Sequence, residues 1–392
     1  MARTSAHRWR MTHPAVITAV IYIAGLGAAA QFSKLAVAFV ALREVYGGSE
    51  TVLGLTVSLI SLVGVLLGLF AGMTVARIGP RRALLWALGG GALVSLLQAT
   101  LPALPVMMAS RVLEGLSHLL IVVAAPTLLA ERVPETYRAG ALTLWSTFFG
   151  VAFALTAIIA PTVVAYGGLS ALLIGHAGWM ALAFVCASLT IHSRGVRTVP
   201  AKLSILARHV AAYSTPGIAT PALAWLCYTL TFVSVLTALP LLVDETDAIW
   251  LATFAPLLSI SVALTLTVAL LAKQPARPVL AGGFVMCATA CVVIGIFGFS
   301  LWTVLLFYAC TALVQGAGFA VVPQLNPDAE SRALANGALA QMGNVGNLLG
   351  TPVLIALQGA APHVGPVLFL TGSYLFGLWA VIVLGRKAVA QL

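Results

Sequence analysis

Three ionisable residues crowd one short stretch of an otherwise apolar run, RVLEGLSH, Arg111–His118. A carboxyl group can carry a proton, an imidazole titrates near neutrality, and a guanidinium holds anions. At about 100° per residue, Arg111, Glu114 and His118 fall within about 60° of arc, one polar stripe on a helix. Its length is about 10 Å. Gln31 and Lys34 lie one turn apart on another apolar segment. Lys34 lies about 13 Å below the outer end of its segment and Glu114 about 15 Å below the outer end of its own. The spacing therefore predicts that Lys34 and Glu114 meet, leaving Arg111 for an anionic group. Glu114 is the expected proton carrier, with His118 second. A purely structural alternative stays open, in which Arg111 and Glu114 only tie their helix to its neighbours. His176 stands alone in its segment and reads as a hydrogen-bonded structural histidine. The later part of the chain offers polarity without charge: Tyr228, Gln315 and the run QMGNVGNLLGTP, where Gln341, Asn344 and Asn347 recur every three residues. Those amides either line a substrate path or pack helices together. Cations on one side and amides on the other would suit a small anion with a polar tail.

These groups need helices in lipid to place them. The chain of 392 residues is 61% hydrophobic and 8% charged, against roughly a quarter charged in soluble domains. That composition predicts an all-α membrane protein. Twelve apolar spans are expected at 15–42, 50–75, 83–101, 104–129, 140–166, 168–191, 217–243, 249–272, 278–299, 301–323, 333–358 and 365–385. Most exceed the ~20 residues that cross the hydrocarbon. With a cytoplasmic N-terminus, all 20 Lys and Arg except Lys34, Arg43 and Arg111 fall in cytoplasmic segments. This is the positive-inside pattern. It explains the net charge of +10 through topology and anionic lipid, so a nucleic-acid partner is not expected. Both termini are predicted cytoplasmic, in the inner (plasma) membrane of a bacterium. The N-terminal run ending GLGAAAQ resembles a signal peptide, but its apolar pattern continues to Leu42, so it reads as the first span.

The polar, basic segment 193–216 separates six spans from six, giving an N-terminal bundle over 1–192 and a C-terminal one over 217–392. The halves echo each other: VLEGLS against LVQGAG, RAGAL against RALANGAL. Parallel repeats of this kind mark a transporter class. The five cysteines fall inside spans and read as buried thiols, with no metal site. No phosphate-binding loop, nucleophile–base pair or metal constellation appears, so neither an enzyme nor a cofactor is expected.

The loop after the second span, GMTVARIGPRR, resembles the Gly-x-x-x-Asp-Arg-x-Gly-x-Arg-Arg signature of the Major Facilitator Superfamily. Gly72, Arg77, Gly79, Arg81 and Arg82 match, and Ala76 replaces the acid. RVLEG is similar to the family's Arg-x-x-x-Gly motif in the fourth helix. The resemblance implies two six-helix bundles with pseudo-twofold symmetry, a cavity lined by the first, fourth, seventh and tenth helices, and gating by the signature loop. With Ala76 in place of the acid, the gate must rest on other contacts. Aligned on Pro161, the antiporter-associated glycine pattern is replaced by Thr156, Ala160, Val164 and Ala165, which counts against drug–proton antiport. The expected function is secondary active, proton-coupled transport of a small anionic organic solute by alternating access, by a monomer in the lipid bilayer. Gln31, Lys34, Arg111, Tyr228, Gln315 and Asn344 are the expected substrate contacts. Efflux of amphipathic compounds, passive facilitation and a non-transporting receptor are the alternatives.

Overall fold

A backbone in hydrocarbon must satisfy its own hydrogen bonds, so apolar runs of this length become helices. The computed structural model describes residues 13–47, 50–192 and 205–390, and their regular structure is helical throughout. The first half comprises α1 (Pro14–Val37), α2 (Phe39–Tyr46), α3 (Glu50–Ile78), α4 (Pro80–Ala99), α5 (Leu104–Arg132), α6 (Glu135–Ser146) and α7 (Phe148–Thr190). Next come α8 (Ile205–Ser214) and α9 (Pro216–Leu242). The chain continues with α10 (Glu245–Leu271), α11 (Ala276–Phe297), α12 (Leu301–Leu325), α13 (Ala329–Ala360) and α14 (Val364–Val389). Residues 193–204 of the expected linker, with Arg194, Arg197 and Lys202, lie outside the described residues, as do Arg3, Arg8 and Arg10. Within the rest of the linker, residues 205–214 form α8.

Helix ends follow local chemistry. Proline opens α1, α4 and α9, where its missing N–H is not needed. Asp244, Ser300 and Asp328 cap α10, α12 and α13 through their side chains. Burial pushes the Asp328 carboxyl up, but hydrogen bonds from Ser331 outweigh this and hold it below the usual carboxylate range.

Three predicted spans differ in detail. The first is broken at Ala38 into α1 and α2, with no proline or glycine there to announce it. The fifth is broken at Thr147, whose hydroxyl bonds back to Leu144 O at 2.8 Å and to Tyr22 Oη at 2.8 Å. Such back-bonding competes with the helix ladder. The fifth and sixth are joined without a loop in the 43-residue α7. A straight helix of that length would measure about 65 Å, twice the hydrocarbon thickness. Gly168, at φ 66° and ψ −172°, bends it into two crossings, a conformation that a side chain would strain. Ten helices among the described residues are long and apolar enough to cross a membrane. The bend in α7 and the amide-rich α13 complete the twelve crossings.

The cores show how the two halves meet. The largest joins both: Ile21, Leu69, Leu128 and Leu142 from the first half pack with Ile218, Phe319, Val322 and Ala333 from the second. All of these lie in the parts of their helices nearest α8, here called the linker side. On the far side, the core around Leu35, Leu42, Leu53, Met107 and Leu173 draws on the first half alone. Three hydrogen bonds also tie the halves together at or on the linker side of the midplane. Asn336 Nδ2 donates to Thr127 Oγ1 at 3.0 Å, Gln341 Nε2 to Val65 O at 2.6 Å, and Gln315 Nε2 to Ser146 O at 3.0 Å. The described structure is therefore closed on its linker side.

Between the halves, α3 and α13 come close enough for backbone to meet backbone. A Cβ on Gly72 would lie 2.7 Å from Ala333 O and 3.2 Å from Gly337 Cα. Backbone meets backbone there, which only glycine permits. Gly90, inside α4, has nothing within 4 Å of the same position. Gly72→Ala should lower the stability of the detergent-solubilised protein by about 1–3 kcal/mol through overpacking. Gly90→Ala should leave it unchanged or raise it by up to about 1 kcal/mol. Thermal unfolding of the two variants side by side checks this; equal melting temperatures would contradict the packing account.

Candidate functional site

The polar stripe of α5 turns into the first half of the chain, where α1, α3, α4 and α7 surround it. Lys34, Arg111 and Glu114 are each 1% exposed or less. Buried ions persist only when their partners are geometrically complete, and here they are. Lys34 Nζ donates to Glu114 Oε1 at 2.5 Å, Ser95 Oγ at 2.7 Å and Gln98 Oε1 at 2.8 Å. His176 Nδ1 lies 3.3 Å from the same nitrogen. Gln98 Nε2 donates to Glu114 Oε2 at 2.8 Å and to Ser110 Oγ at 3.1 Å. Arg111 Nη1 also reaches Glu114 Oε2. The carboxylate thus bridges two cations, one on each oxygen.

Arg111 departs from the sequence-based expectation. It is not free to meet an anion in this structure. Its Nε donates to Thr56 O at 2.9 Å, Nη1 to Gln31 O at 2.9 Å and Nη2 to Val57 O at 3.5 Å. A planar fork with five N–H groups suits this task of joining α1, α3 and α5 through backbone carbonyls.

His176 is hydrogen-bonded, as expected, with partners that come from other helices. Its Nδ1 is 2.6 Å from Ser95 Oγ and its Nε2 is 3.0 Å from Gly27 O. The residues missed in the sequence were Ser95, Gln98 and Ser110. Ser95 and Gln98 sit one helical turn apart in an apolar span, the same signal that picked out Gln31 and Lys34.

One turn along α5, the seam with α1 continues. Gln31 Nε2 donates to Ser117 Oγ at 2.9 Å, while Gln31 Oε1 is buried without a partner. His118 Nδ1 lies 2.9 Å from Ala28 O, and its ring packs edge-on against Phe32 at 4.8 Å. A carbonyl only accepts, so Nδ1 carries the hydrogen.

The residues singled out in the second half do not join this network. Tyr228 packs against Trp225 at 4.7 Å and Phe232 at 5.1 Å. Gln315 donates to Ser146 O, as above, and its Oε1 accepts from Ser259 Oγ at 3.2 Å. Asn344 Nδ2 bonds to Ala340 O within its own helix at 2.8 Å and lies against Gly64. Gln341 lies against Gly68. These two amides therefore sit where glycines bring helices together.

The signature loop forms the tight α3–α4 connection. Gly79 has φ 90°. Arg81 reaches the carbonyl-rich end of α7, with Nε on Ile191 O and Nη2 on Ser188 O, the latter at 3.2 Å. Cations are favoured at such ends. Arg77 ends α3 and Arg82 lies exposed in the first turn of α4. With alanine at position 76, the contacts that close the linker side include the Gly72–Gly337 approach, the three inter-half hydrogen bonds and the attraction between Glu131 and Arg332.

The network makes an asymmetric prediction. Glu114→Gln leaves Lys34 and Arg111 buried together with no anion, whereas Lys34→Met leaves Glu114 held by Arg111 and Gln98. Removing one partner of a buried pair typically costs about 3–5 kcal/mol. Glu114→Gln should reach that range and Lys34→Met should fall clearly below it, as read by thermal unfolding in detergent. The reverse order would contradict the geometry.

Comparison with known proteins agrees with this architecture. The sequence model of the Major Facilitator Superfamily matches residues 21–351. No curated protein matches significantly. Among solved structures, the proton:xylose symporter XylE, bound to 6-bromo-6-deoxy-D-glucose, is 15% identical with a TM-score of 0.71, covering 96% of each chain. The transporter FucP in its outward conformation is 12% identical with a TM-score of 0.73, covering 95% of this chain and 98% of its own. The human organic anion transporter MFSD10 is 15% identical with a TM-score of 0.68, covering 94% of this chain and 99% of its own. At these identities the likeness is one of fold. The family match over most of the sequence, with twelve membrane crossings, means that the chain belongs to the Major Facilitator Superfamily and is a multi-pass membrane transporter.

Proposed function

We propose that this protein is a proton-coupled secondary transporter of a small organic anion, working by alternating access between bundles 1–192 and 217–392 about the linker 193–216. The observation that carries the reading is the Lys34–Glu114–Arg111 network. Its carboxylate is the titratable group on which two buried cations depend, so a proton on Glu114 releases both at once. A change of that size in a low-dielectric site shifts the packing of α1, α3 and α5 together. The likeness to a proton:xylose symporter supports proton coupling.

The preference for an anion rests on charge balance. Lys34 and Arg111 against Glu114 leave one positive charge in excess within the buried network. That excess sets up a field favourable to anions in the adjoining transport path. Arg111 contributes through this field in the closed-linker state, and Gln31, Tyr228, Gln315 and Asn344 remain the polar groups proposed to meet the solute as the halves separate. The likeness to an organic anion transporter agrees. With both termini cytoplasmic in an inner (plasma) membrane, the linker side is the cytoplasmic side and this structure is outward-facing. One observation favours an amphipathic solute. Phe32, Phe149 and Phe153 form an aromatic series with centroid spacings of 5.7 and 4.9 Å, and Trp225 pairs with Phe319 at 4.7 Å.

A thermal-shift screen of organic and inorganic anions, cations, neutral sugars and amphipathic amines tests the substrate class. At least one organic anion should stabilise the protein and accumulate uphill in proteoliposomes under an imposed pH gradient. Glu114→Gln should abolish that accumulation while sparing counterflow exchange. Stabilisation by sugars or cations alone would reject the anion, and undiminished uphill transport by Glu114→Gln would reject the proton role.

A further inference from the structure

We infer that Tyr213, in the linker helix α8, is a positioning residue for the seam between the halves. Its hydroxyl fixes the Gln341 amide so that the amide N–H meets α3 and holds the linker side closed. The inference rests on the alternating-access part of the proposed function and needs neither the solute nor the proton.

The hydrogen bonds fix which way the amide points. Val65 O can only accept, so the atom of Gln341 that meets it at 2.6 Å is Nε2. Gln341 Oε1 is then turned the other way, and an amide oxygen also only accepts. It takes the hydrogen of Tyr213 Oη at 2.7 Å. One buried side chain thus joins the linker helix, α13 of the second half and α3 of the first. Turned over, the amide would set its oxygen against Val65 O, acceptor against acceptor, and the seam would lose its bond. Packing leaves the amide end as the part that turns. A Cβ on Gly68 would lie 2.4 Å from Gln341 Cβ and 2.7 Å from its Cα, so the stem of Gln341 is pressed against α3.

Tyr213 belongs mechanically to the second half. α8 runs into α9 through continuous bonding: Thr215 N donates to Ala212 O at 3.1 Å, Thr215 Oγ1 to Ala211 O at 2.8 Å, and Ala219 N to Thr215 O at 2.9 Å. The start of α9 is tied in turn to the end of α12, where Asn326 Nδ2 donates to Gly217 O at 2.8 Å. When the halves part on the linker side, the bond to Val65 O breaks while the Tyr213–Gln341 bond travels with the second half. The amide N–H therefore stays aimed at α3, ready to re-form the seam. Ala212 and Tyr213 also pack on the core that joins both halves, so the linker helix is part of the closure as well as a tether.

Alkylation of a seam thiol measures how often the linker side opens. Val322, 1% exposed in the core shared by both halves, is changed to cysteine in a Cys186→Ala background of the full-length protein in detergent. The native thiols of Cys227, Cys287, Cys291 and Cys310 are buried in the core of the second half and report unfolding. With a water-soluble maleimide kept dilute, so that alkylation is slower than reclosing, the Val322→Cys rate follows the open fraction. Tyr213→Phe should raise that rate about fivefold, the worth of one hydrogen bond, while the native thiols keep theirs. Gln341→Leu should raise it at least as much. Adding Tyr213→Phe to Gln341→Leu should raise it no further, because Tyr213 acts through the amide. An equal rise at the native thiols, or a further rise of the same size on top of Gln341→Leu, would overturn the inference. If Val322→Cys reacts in the parent protein but Tyr213→Phe leaves the rate unchanged, this inference alone fails. If Val322→Cys reacts no faster than the native thiols in every variant, linker-side opening fails and takes the alternating-access reading with it.

Discussion

Two buried cations share one carboxylate, and the first half of this transporter is arranged around that fact. Lys34 and Arg111 approach Glu114 from opposite oxygens. Low-dielectric surroundings strengthen the attraction but make any unpaired member expensive. Five helical segments therefore contribute something to the network: α1 gives Lys34, α3 its carbonyls at Thr56 and Val57, α4 Ser95 and Gln98, α5 Arg111 and Glu114, and α7 His176. Helix association in lipid lacks the hydrophobic drive available in water, so polar contacts of this kind supply specificity that apolar faces do not.

The second half meets the first through a different chemistry. Glycines of α3 lie on the backbone and amides of α13, and single amide hydrogen bonds cross to α4-following helices α5 and α6 at Thr127 and Ser146. None of the three cross-half hydrogen bonds named above is an ion pair. Contacts made of shape and neutral amides are individually worth about 1 kcal/mol, and can be exchanged for water or for the opposite closure. Charge fixes the inside of one half, and small residues and neutral amides form much of the seam, with Glu131 and Arg332 attracting each other across its linker end. Ala76, in place of an acid, belongs to the same pattern.

Much of this was legible in the sequence, and for definite reasons. Charge counts along the chain gave the spans, because hydrocarbon excludes ions. The helical period put Arg111 and Glu114 on one face, and depth brought Lys34 to Glu114. What failed was orientation. Nothing in the spacing of Arg111 told whether its fork would face a cavity or the carbonyls of α1 and α3; only the packing decides that. His176 looked solitary because its partners, Ser95 and Lys34, are 81 and 142 residues away in the chain. The division between the fifth and sixth spans was legible at residue 167, but not the lack of a loop there, for a single glycine, Gly168, makes the turn within one continuous helix. The amides of α13 announced themselves by period, yet the period does not say whether glycine contacts or solute lie opposite; Gly64 and Gly68 answer that for Asn344 and Gln341.

The account stands on Glu114 being the ionised partner of two cations and the group that changes charge. Infrared difference spectroscopy of the membrane-reconstituted protein, labelled with carbon-13 glutamate and stepped from high to low pH, tests this most directly. The prediction is a carboxylate band that is lost as a protonated carboxyl band appears, both absent from Glu114→Gln. A wild-type spectrum that Glu114→Gln leaves unchanged would contradict it.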